Sequence, residues 1–172
     1  MITVKIFLKT GYLGELYLGM SLNDVIQYLG IPDGFTTSEF NINQLFQTRI
    51  GLNVPASTIF YGCIELMFER ISDKLIYIKI MVAEQRERNK DRFLQLPSAL
   101  RGDWINLMST MRSIDMMEFM KSNSIEWIEV YTTDSSSIWR VKDVTFSSVH
   151  DSMLDIVIDN DEIYFMLLRL SI

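Results

Sequence analysis

Apolar and polar residues alternate along three segments of the first half of the chain, a pattern typical of β-strands with one buried face. Thr3–Leu8 is the first of these segments and is predicted to be a short strand. Ile59–Glu69 and Lys74–Val82 follow. The residues Ile71-Ser72-Asp73 between them favour a turn, so the two segments are predicted to form a hairpin.

The clearest helix signal of the first half lies between Ser21 and Gly30. Ser21 is a favourable N-cap residue, and Asp24 stands where a carboxylate meets the free backbone N–H groups of a first turn. Apolar side chains recur at helical spacing between these ends. Gly30 can adopt a left-handed conformation that ends a helix, and Pro32 prevents continuation. Residues 21–29 are therefore predicted to be helical.

The second half follows a run of alternating charges at Ala83–Arg92 and is predicted to contain two helices and four strands. The helices are predicted within Leu94–Met108, beginning after Pro97, and at Met111–Lys121. Five of the eleven methionines lie between positions 108 and 120. Methionine clusters are typical both of cores and of adaptable binding surfaces. The last strand is apolar on both faces, which predicts a covered central strand or an interface. The four predicted strands are Ile125–Thr132, Ile138–Phe146, Met153–Asp159 and Glu162–Leu170, and turns are predicted at Ser135-Ser136-Ser137 and Asn160-Asp161.

The two halves share a polarity pattern that indicates an internal repeat. A helix and a later hairpin recur at separations of 91, 90 and 87 residues. The chain is therefore predicted to be α+β, with a first half at residues 1–92 and an acidic second half at 93–172, each a helix packed on an antiparallel sheet. The two sheets would either continue into each other or face each other. The matched positions are Asp24 with Asp115, Glu65 with Asp155 and Tyr77 with Tyr164.

Charge changes this picture, because it is unevenly distributed along the 172 residues. Residues 1–92 carry ten basic and ten acidic residues, whereas 93–172 carry six basic and twelve acidic residues, and the whole chain has a net charge of -6. This acidity disfavours nucleic-acid binding and suits a basic protein partner, although it also serves solubility. The acidic candidates for partner contact, all expected to be exposed, are Asp134, Asp151, Asp155, Asp159, Asp161 and Glu162. Trp139 is a candidate aromatic anchor, although its residue type favours the core.

Catalytic and metal-binding motifs are missing from the pattern. The single cysteine, Cys63, begins an apolar strand, and the single histidine, His150, is predicted to lie in a loop, so neither is assigned a catalytic role. No catalytic, cofactor-binding or metal-binding residue is assigned, and no enzyme activity is expected. The longest apolar run is too short to span a membrane, and Lys5 and Lys9 interrupt any signal-peptide core, which predicts a cytoplasmic protein.

Several short motifs of the first half carry a resemblance to known protein families: Gly19-Met20-Ser21, Asp24-Val25, Leu29-Gly30, Pro32-Asp33, Tyr61–Phe68 and Leu75–Ile78. Together they resemble small bacterial immunity proteins, which neutralise delivered toxins. Residues 19–33 are also similar to the helix start of the β-lactamase-inhibitor protein and of outer-membrane assembly lipoproteins. The cysteines of those two families are absent, and no functional residue is carried over.

The leading hypothesis is a non-catalytic module that binds and occludes a basic toxin or enzyme. The alternative is a small-molecule-binding or regulatory domain with an apolar pocket between helix and sheet. A third hypothesis, an enzyme that uses clustered carboxylates, would need acids with raised pKa values in a cleft. A homodimer through the last strand is compatible with all three.

Overall fold

The computed structural model of the protein describes residues 2–41, 53–82, 96–142, 144 and 152–170. These ranges contain four α-helices, a short 3₁₀ turn at Ser98–Leu100 and eight strands. The helices are α1 (Val4–Thr10), α2 (Leu22–Leu29), α3 (Asp103–Thr110) and α4 (Ser113–Ser122). The strands are β1 (Gly34–Asn41), β2 (Asn53–Tyr61), β3 (Ile64–Glu69), β4 (Lys74–Met81), β5 (Trp127–Thr132), β6 (Ser136–Val141), β7 (Ser152–Asp159) and β8 (Glu162–Leu170).

The eight strands form one antiparallel sheet in the order β1-β2-β3-β4-β8-β7-β6-β5. β1–β4 and β5–β8 are each a meander in which neighbouring strands pair, and β4 pairs with β8 between them. The predicted α+β fold is confirmed. The two sheets continue into each other, and β8, which is apolar on both faces, is a central strand.

The helices pack on one face of this sheet. The larger core combines buried side chains from all four helices with alternate residues of the central strands. A smaller cluster on the opposite face contains strand residues, among them Tyr77 and Leu167. None of the four described helices packs on this opposite side, and for the described part of the chain we call it the helix-free face. Representative members of the larger core are Phe7, Val25, Trp104, Met116, Ile78 and Leu168.

The two halves tie their helices to their sheets in the same way. The N–H of Leu22 at the start of α2 donates to the carbonyl of Asp73 in the β3–β4 turn at 2.9 Å. The N–H of Ser113 at the start of α4 donates to the carbonyl of Asp161 in the β7–β8 turn at 3.1 Å. The equivalent helix and the equivalent hairpin of each half therefore meet at the same contact.

The β4–β8 ladder is centred on the pair Lys79 and Leu167. An approximate two-fold axis through this pair exchanges the two meanders, which is consistent with two similar halves. The division into residues 1–92 and 93–172 remains a prediction, because the boundary lies outside the described residues.

The predicted helix at 21–29 is confirmed as α2. Ser21 caps its start: the hydroxyl accepts from the Asp24 N–H at 3.1 Å and donates to the Asp24 carboxylate at 2.5 Å. Gly30 follows its end with φ 86°, a backbone conformation that side chains disfavour. Local signals alone were therefore sufficient to locate this helix.

The first predicted strand is wrong, because these residues form helix α1. Thr3 caps this helix by accepting a hydrogen bond from the Ile6 N–H at 3.1 Å. Val4, Phe7 and Leu8 are buried at helical spacing against the larger core. The apolar positions of so short a segment fit both the period of a strand and the period of a helix, and only the packing of its side chains against the sheet decides between the two.

Two further boundaries also differ from the prediction. The segment Ile59–Glu69 is two strands, because the chain reverses at Gly62, where φ is 57° and the N–H donates to the Asp33 carboxylate at 2.6 Å. The helix predicted at Leu94–Met108 is shorter, because α3 begins only after the extended residue Gly102.

Candidate functional site

A row of five apolar side chains crosses the helix-free face, from β5 at the edge of the second half to β4 at the centre of the sheet. The five residues lie directly opposite one another on neighbouring strands, so their side chains share one face. We call this set the apolar row. From the sheet edge to the sheet centre it consists of Tyr131 on β5, Ile138 on β6, Val157 on β7, Phe165 on β8 and Met81 on β4.

The exposure of the apolar row rises toward the edge of the sheet. Met81 at the centre is 8% exposed, the three middle residues are partly exposed, and Tyr131 is 49% exposed. The two-fold axis relates this row to one in the first half that includes Tyr77, Met67 and Thr58, and these three are buried. The second half therefore presents apolar surface at a place where the first half does not.

A bidentate ion pair lies beside the apolar row on the same face. Nε and Nη2 of Arg140 donate to the two carboxylate oxygens of Asp155 at 2.8 and 3.1 Å. Nη2 of Arg169 lies 4.0 Å from this carboxylate, and Asp155 and Arg169 are both buried. Burial lowers the pKa of Arg169, the charge of Asp155 raises it and the charge of Arg140 lowers it. One buried carboxylate thus binds the Arg140 guanidinium and lies near that of Arg169.

Lys79 lies at the central end of the apolar row. Its ammonium group is 4.7 Å from the centroid of the Phe165 ring and 3.8 Å from a carboxylate oxygen of Glu65. A cation over an aromatic ring is attracted to the ring face. The Lys79–Glu65 ion pair positions the ammonium group, and its contact with the ring restricts the orientation of Phe165 within the row.

Acidic side chains lie on the other side of the apolar row. Asp159 is opposite both Glu162 and Ser136, which places these three residues in the next row of the same face. The Ser136 hydroxyl donates to the Asp159 carboxylate at 2.6 Å. Asp161 and Asp134 are exposed in the adjoining turns. We call Asp134, Asp159, Asp161 and Glu162 the acidic rim.

The two turns that carry the acidic rim are joined to each other and to α4. The Asn160 N–H donates to the carbonyl of Ser135 at 2.8 Å. The Asp161 carboxylate accepts a hydrogen bond from the Ser113 hydroxyl and lies 4.0 Å from the Arg112 guanidinium. These contacts hold the rim in a fixed position relative to the apolar row.

The structure brings four of the seven predicted contact residues together in the acidic rim. Asp155 was expected to be exposed, and that expectation is wrong, because its cross-strand partner Arg140 covers it and leaves it 0% exposed. Trp139 lies in the larger core on the helix side, with its ring centroid 6.0 Å from that of Trp127. Asp151 lies outside the described residues.

The methionine-rich segment contributes to the core. Met108, Met111, Met116 and Met120 are buried, and Met117 is partly buried against the same cluster. Methionine fills irregular space between helix and sheet. Of the two interpretations of this segment, the structure supports core packing.

The members of the apolar row were not identified as a site in the sequence. They come from five strands of both meanders, so only the strand register brings them together. The available signal was the two-sided apolarity of β8, which includes Phe165. That signal indicated a covered strand or an interface without locating its neighbours.

A concave region lies among the helices, where the two halves meet. It has a volume of about 990 Å³, and its walls include Tyr28 of α2, Phe119 of α4 and Trp104 of α3. The Tyr28 hydroxyl accepts from the Glu15 N–H at 3.3 Å and donates to the carbonyl of Ala99 at 3.5 Å. We call this region the helix cleft.

The described residues contain little that resembles a reactive centre. Cys63 is buried, and burial raises the pKa of its thiol to about 12, which keeps it protonated at neutral pH. His150 lies outside the described residues. Within the described ranges, no three His, Cys, Asp or Glu side chains are close enough to hold a metal ion. Nor is any helix there both long and apolar enough to cross a membrane.

Comparison of the chain with protein-family models, with curated proteins and with solved structures finds no match.

Proposed function

We propose that this chain is a non-catalytic protein-binding module that holds a basic partner against the helix-free face of its second half. The observation that carries the proposal is the apolar row, which becomes exposed toward Tyr131 and is flanked by the acidic rim. Stable protein interfaces share this anatomy, with an apolar centre and a polar rim. Tyr131 and Phe165 are aromatic residues of the kind that anchor such interfaces.

Charge favours a basic partner over a neutral one. Six basic and twelve acidic residues lie between positions 93 and 172. Two of the basic residues, Arg140 and Arg169, are directed toward Asp155 within the sheet. At the rim itself Arg112 lies 4.0 Å from Asp161, and the acidic excess of this half would steer a basic surface toward the rim.

The role proposed for this binding is the occlusion of a basic toxin or enzyme, as in the immunity proteins that the sequence resembles. A rigid sheet face suits occlusion, because its strands change little on binding.

The test begins with capture of a partner from a native lysate, identification by mass spectrometry and purification. Association and dissociation rates are then measured by surface plasmon resonance for Asp134→Lys and for the control Glu118→Lys, which reverses an exposed charge on α4. We expect Asp134→Lys to slow association about 3- to 10-fold at low salt, and we expect this difference to shrink at high salt. The control should be close to the parent protein.

A second variant tests the apolar row. Tyr131→Ala is expected to raise the dissociation rate about 10-fold, because most of the affinity of an interface comes from a few well-packed side chains. Equal effects of Asp134→Lys and Glu118→Lys, together with no effect of Tyr131→Ala, would show that the partner binds elsewhere.

The helix cleft supports the second candidate function, the binding of a small apolar molecule. Its volume of about 990 Å³ and its aromatic walls suit a ligand-sized molecule. A thermal-shift screen of metabolites tests this function. A stabilising compound should lose its effect in Leu107→Lys, which places a charge at the exposed wall of the cleft.

A further inference from the structure

Among the described strands, β5 lies at one edge of the sheet and pairs with β6 alone. Residues 128–132 of this strand are all exposed, and Trp127 is partly exposed. An edge strand presents unpaired backbone N–H and C=O groups to which another strand can add. The edge at β5 also adjoins the most exposed end of the apolar row.

The ladder shows which backbone groups face outward. The Lys142 N–H donates to the carbonyl of Glu126 at 2.8 Å, so the backbone of Glu126 faces β6. Because the backbone N–H and C=O groups of a strand point to alternate sides, Ile128 also directs these groups toward β6. Trp127 and Glu129 alternate with these residues, and they therefore direct their backbone N–H and C=O groups away from the sheet. These two residues offer a short template for an added strand.

The side chains of β5 favour such an addition. Ile128, Val130 and Tyr131 are exposed and of types that favour strands. Ile128 lies opposite Arg140, and Tyr131 lies opposite Ile138, so both belong to the helix-free face. Natural edges are often protected by lysine or proline, and β5 contains neither, although a register shift between Glu129 and Tyr131 limits the regular ladder.

Charge decides between a second copy and a different partner. Glu126 and Glu129 are exposed at the edge, and Asp134 follows in the next turn. Two copies joined through β5 would bring these acids together, and like charges on paired strands are destabilising. A basic strand would meet them favourably.

We propose that β5 accepts an extended, positively charged segment of the partner as an additional antiparallel strand. This inference rests on the proposed function and deepens it, because it names the form of the segment that binds. Alternate side chains of the added strand pack beside Ile128 and Tyr131 on the helix-free face. The intervening side chains are lysine or arginine, and they face the side of the sheet that carries Glu129.

The probe for this proposal is a blocked peptide of alternating lysine and valine. Two matched controls accompany it: a peptide of alternating glutamate and valine, and the lysine–valine peptide with N-methyl groups on alternate backbone nitrogens. We expect the first peptide to bind and the glutamate peptide not to bind at about 1 mM. Methylation of the peptide nitrogens that would face β5 is expected to weaken binding about 10-fold, because it removes the N–H groups that donate to β5.

The location of binding is read from hydrogen exchange and from charge reversal. The amides of Trp127 and Glu129 should gain protection when the peptide binds, and Glu129→Lys should weaken binding about 10-fold, whereas Glu118→Lys should not. Sedimentation of the free protein should show a monomer. A β5-dependent dimer, or a lysine–valine peptide that does not bind, would overturn strand addition.

The two proposals fail in different ways. If a purified partner binds with the expected sensitivity to Asp134→Lys and Tyr131→Ala but leaves Trp127 and Glu129 unprotected, strand addition is wrong and docking on the helix-free face stands. If those two variants have no effect on the partner while the peptide still protects β5, the proposed function is wrong and the edge site stands.

Discussion

Replacing Asp155 by asparagine removes a buried negative charge that lies between two guanidinium groups. Arg140 binds both oxygens of this carboxylate, and the buried Arg169 lies 4.0 Å from it. Removing one partner of a buried ion pair costs about 3–5 kcal/mol, because the remaining charge has lost its compensation. A domain of this size has roughly 5–15 kcal/mol of stability in total. We therefore expect Asp155→Asn to fold, with a greatly reduced free energy of unfolding.

Urea unfolding followed by circular dichroism measures this loss. The midpoint should fall while the slope of the transition is unchanged, since the substitution alters stability and not the surface exposed on unfolding. In a thermal melt, the same loss corresponds to a decrease in Tm of roughly 6–20 °C. Asp134→Asn is the matched control, because Asp134 is exposed, and its effect should stay within about 0.5 kcal/mol.

A double-mutant cycle attributes the loss to the ion pair. Arg140→Gln and Asp155→Asn together should cost less than the sum of the two single changes, with a coupling energy of about 0.5–3 kcal/mol. The reasoning is refuted if Asp155→Asn costs less than about 1 kcal/mol, the range expected of an exposed pair.

Two further predictions concern other parts of the molecule. Gly14→Ala should destabilise the protein by about 2–3 kcal/mol in urea unfolding, because Gly14 has φ 66° and a Cβ there would lie 2.6 Å from the Tyr28 hydroxyl oxygen. In a Tyr28→Phe background the same substitution should cost only about 1–2 kcal/mol, since only the backbone strain remains. An equal cost in both backgrounds would exclude the clash. Burial raises the pKa of Cys63 from 9.0 and that of Tyr61 from 10.0, in each case to about 12, so their contribution to stability is complete below pH 9 and is lost as the pH rises toward 12. Thermal melts at constant ionic strength between neutral and alkaline pH should show this decline, and a flat profile would contradict the burial of these groups.

Features that depend on neighbouring residues in sequence were predictable. The start of α2 at Ser21 and the β7–β8 turn at Asn160-Asp161 follow from residue types that suit those backbone positions. Asn160 and Asp161 both have positive φ, which asparagine and aspartate tolerate better than most residues. These elements appear in the structure where the sequence indicated them.

Features that depend on packing or register were not predictable. α1 was assigned as a strand, because its helical burial appears only when it packs against the sheet. Asp155 was assigned to an exposed face, because its partner Arg140 lies on another strand and alternation cannot identify a cross-strand neighbour. The apolar row could not be predicted for the same reason: strand register brings its members together, and Met81 and Tyr131 come from different halves of the chain.

The symmetric ladder between β4 and β8 has a consequence for ancestry. If a single half once existed as a separate protein, the same ladder would have joined two identical chains into a dimer, with the residue at the axis facing its own copy. A lysine in that position would have faced a lysine. In the present chain the two positions are Lys79 and Leu167, and Lys79 instead contacts Glu65 and Phe165. Fusion of two such copies would allow the halves to differ at the axis, and each half could then acquire a surface that the other lacks.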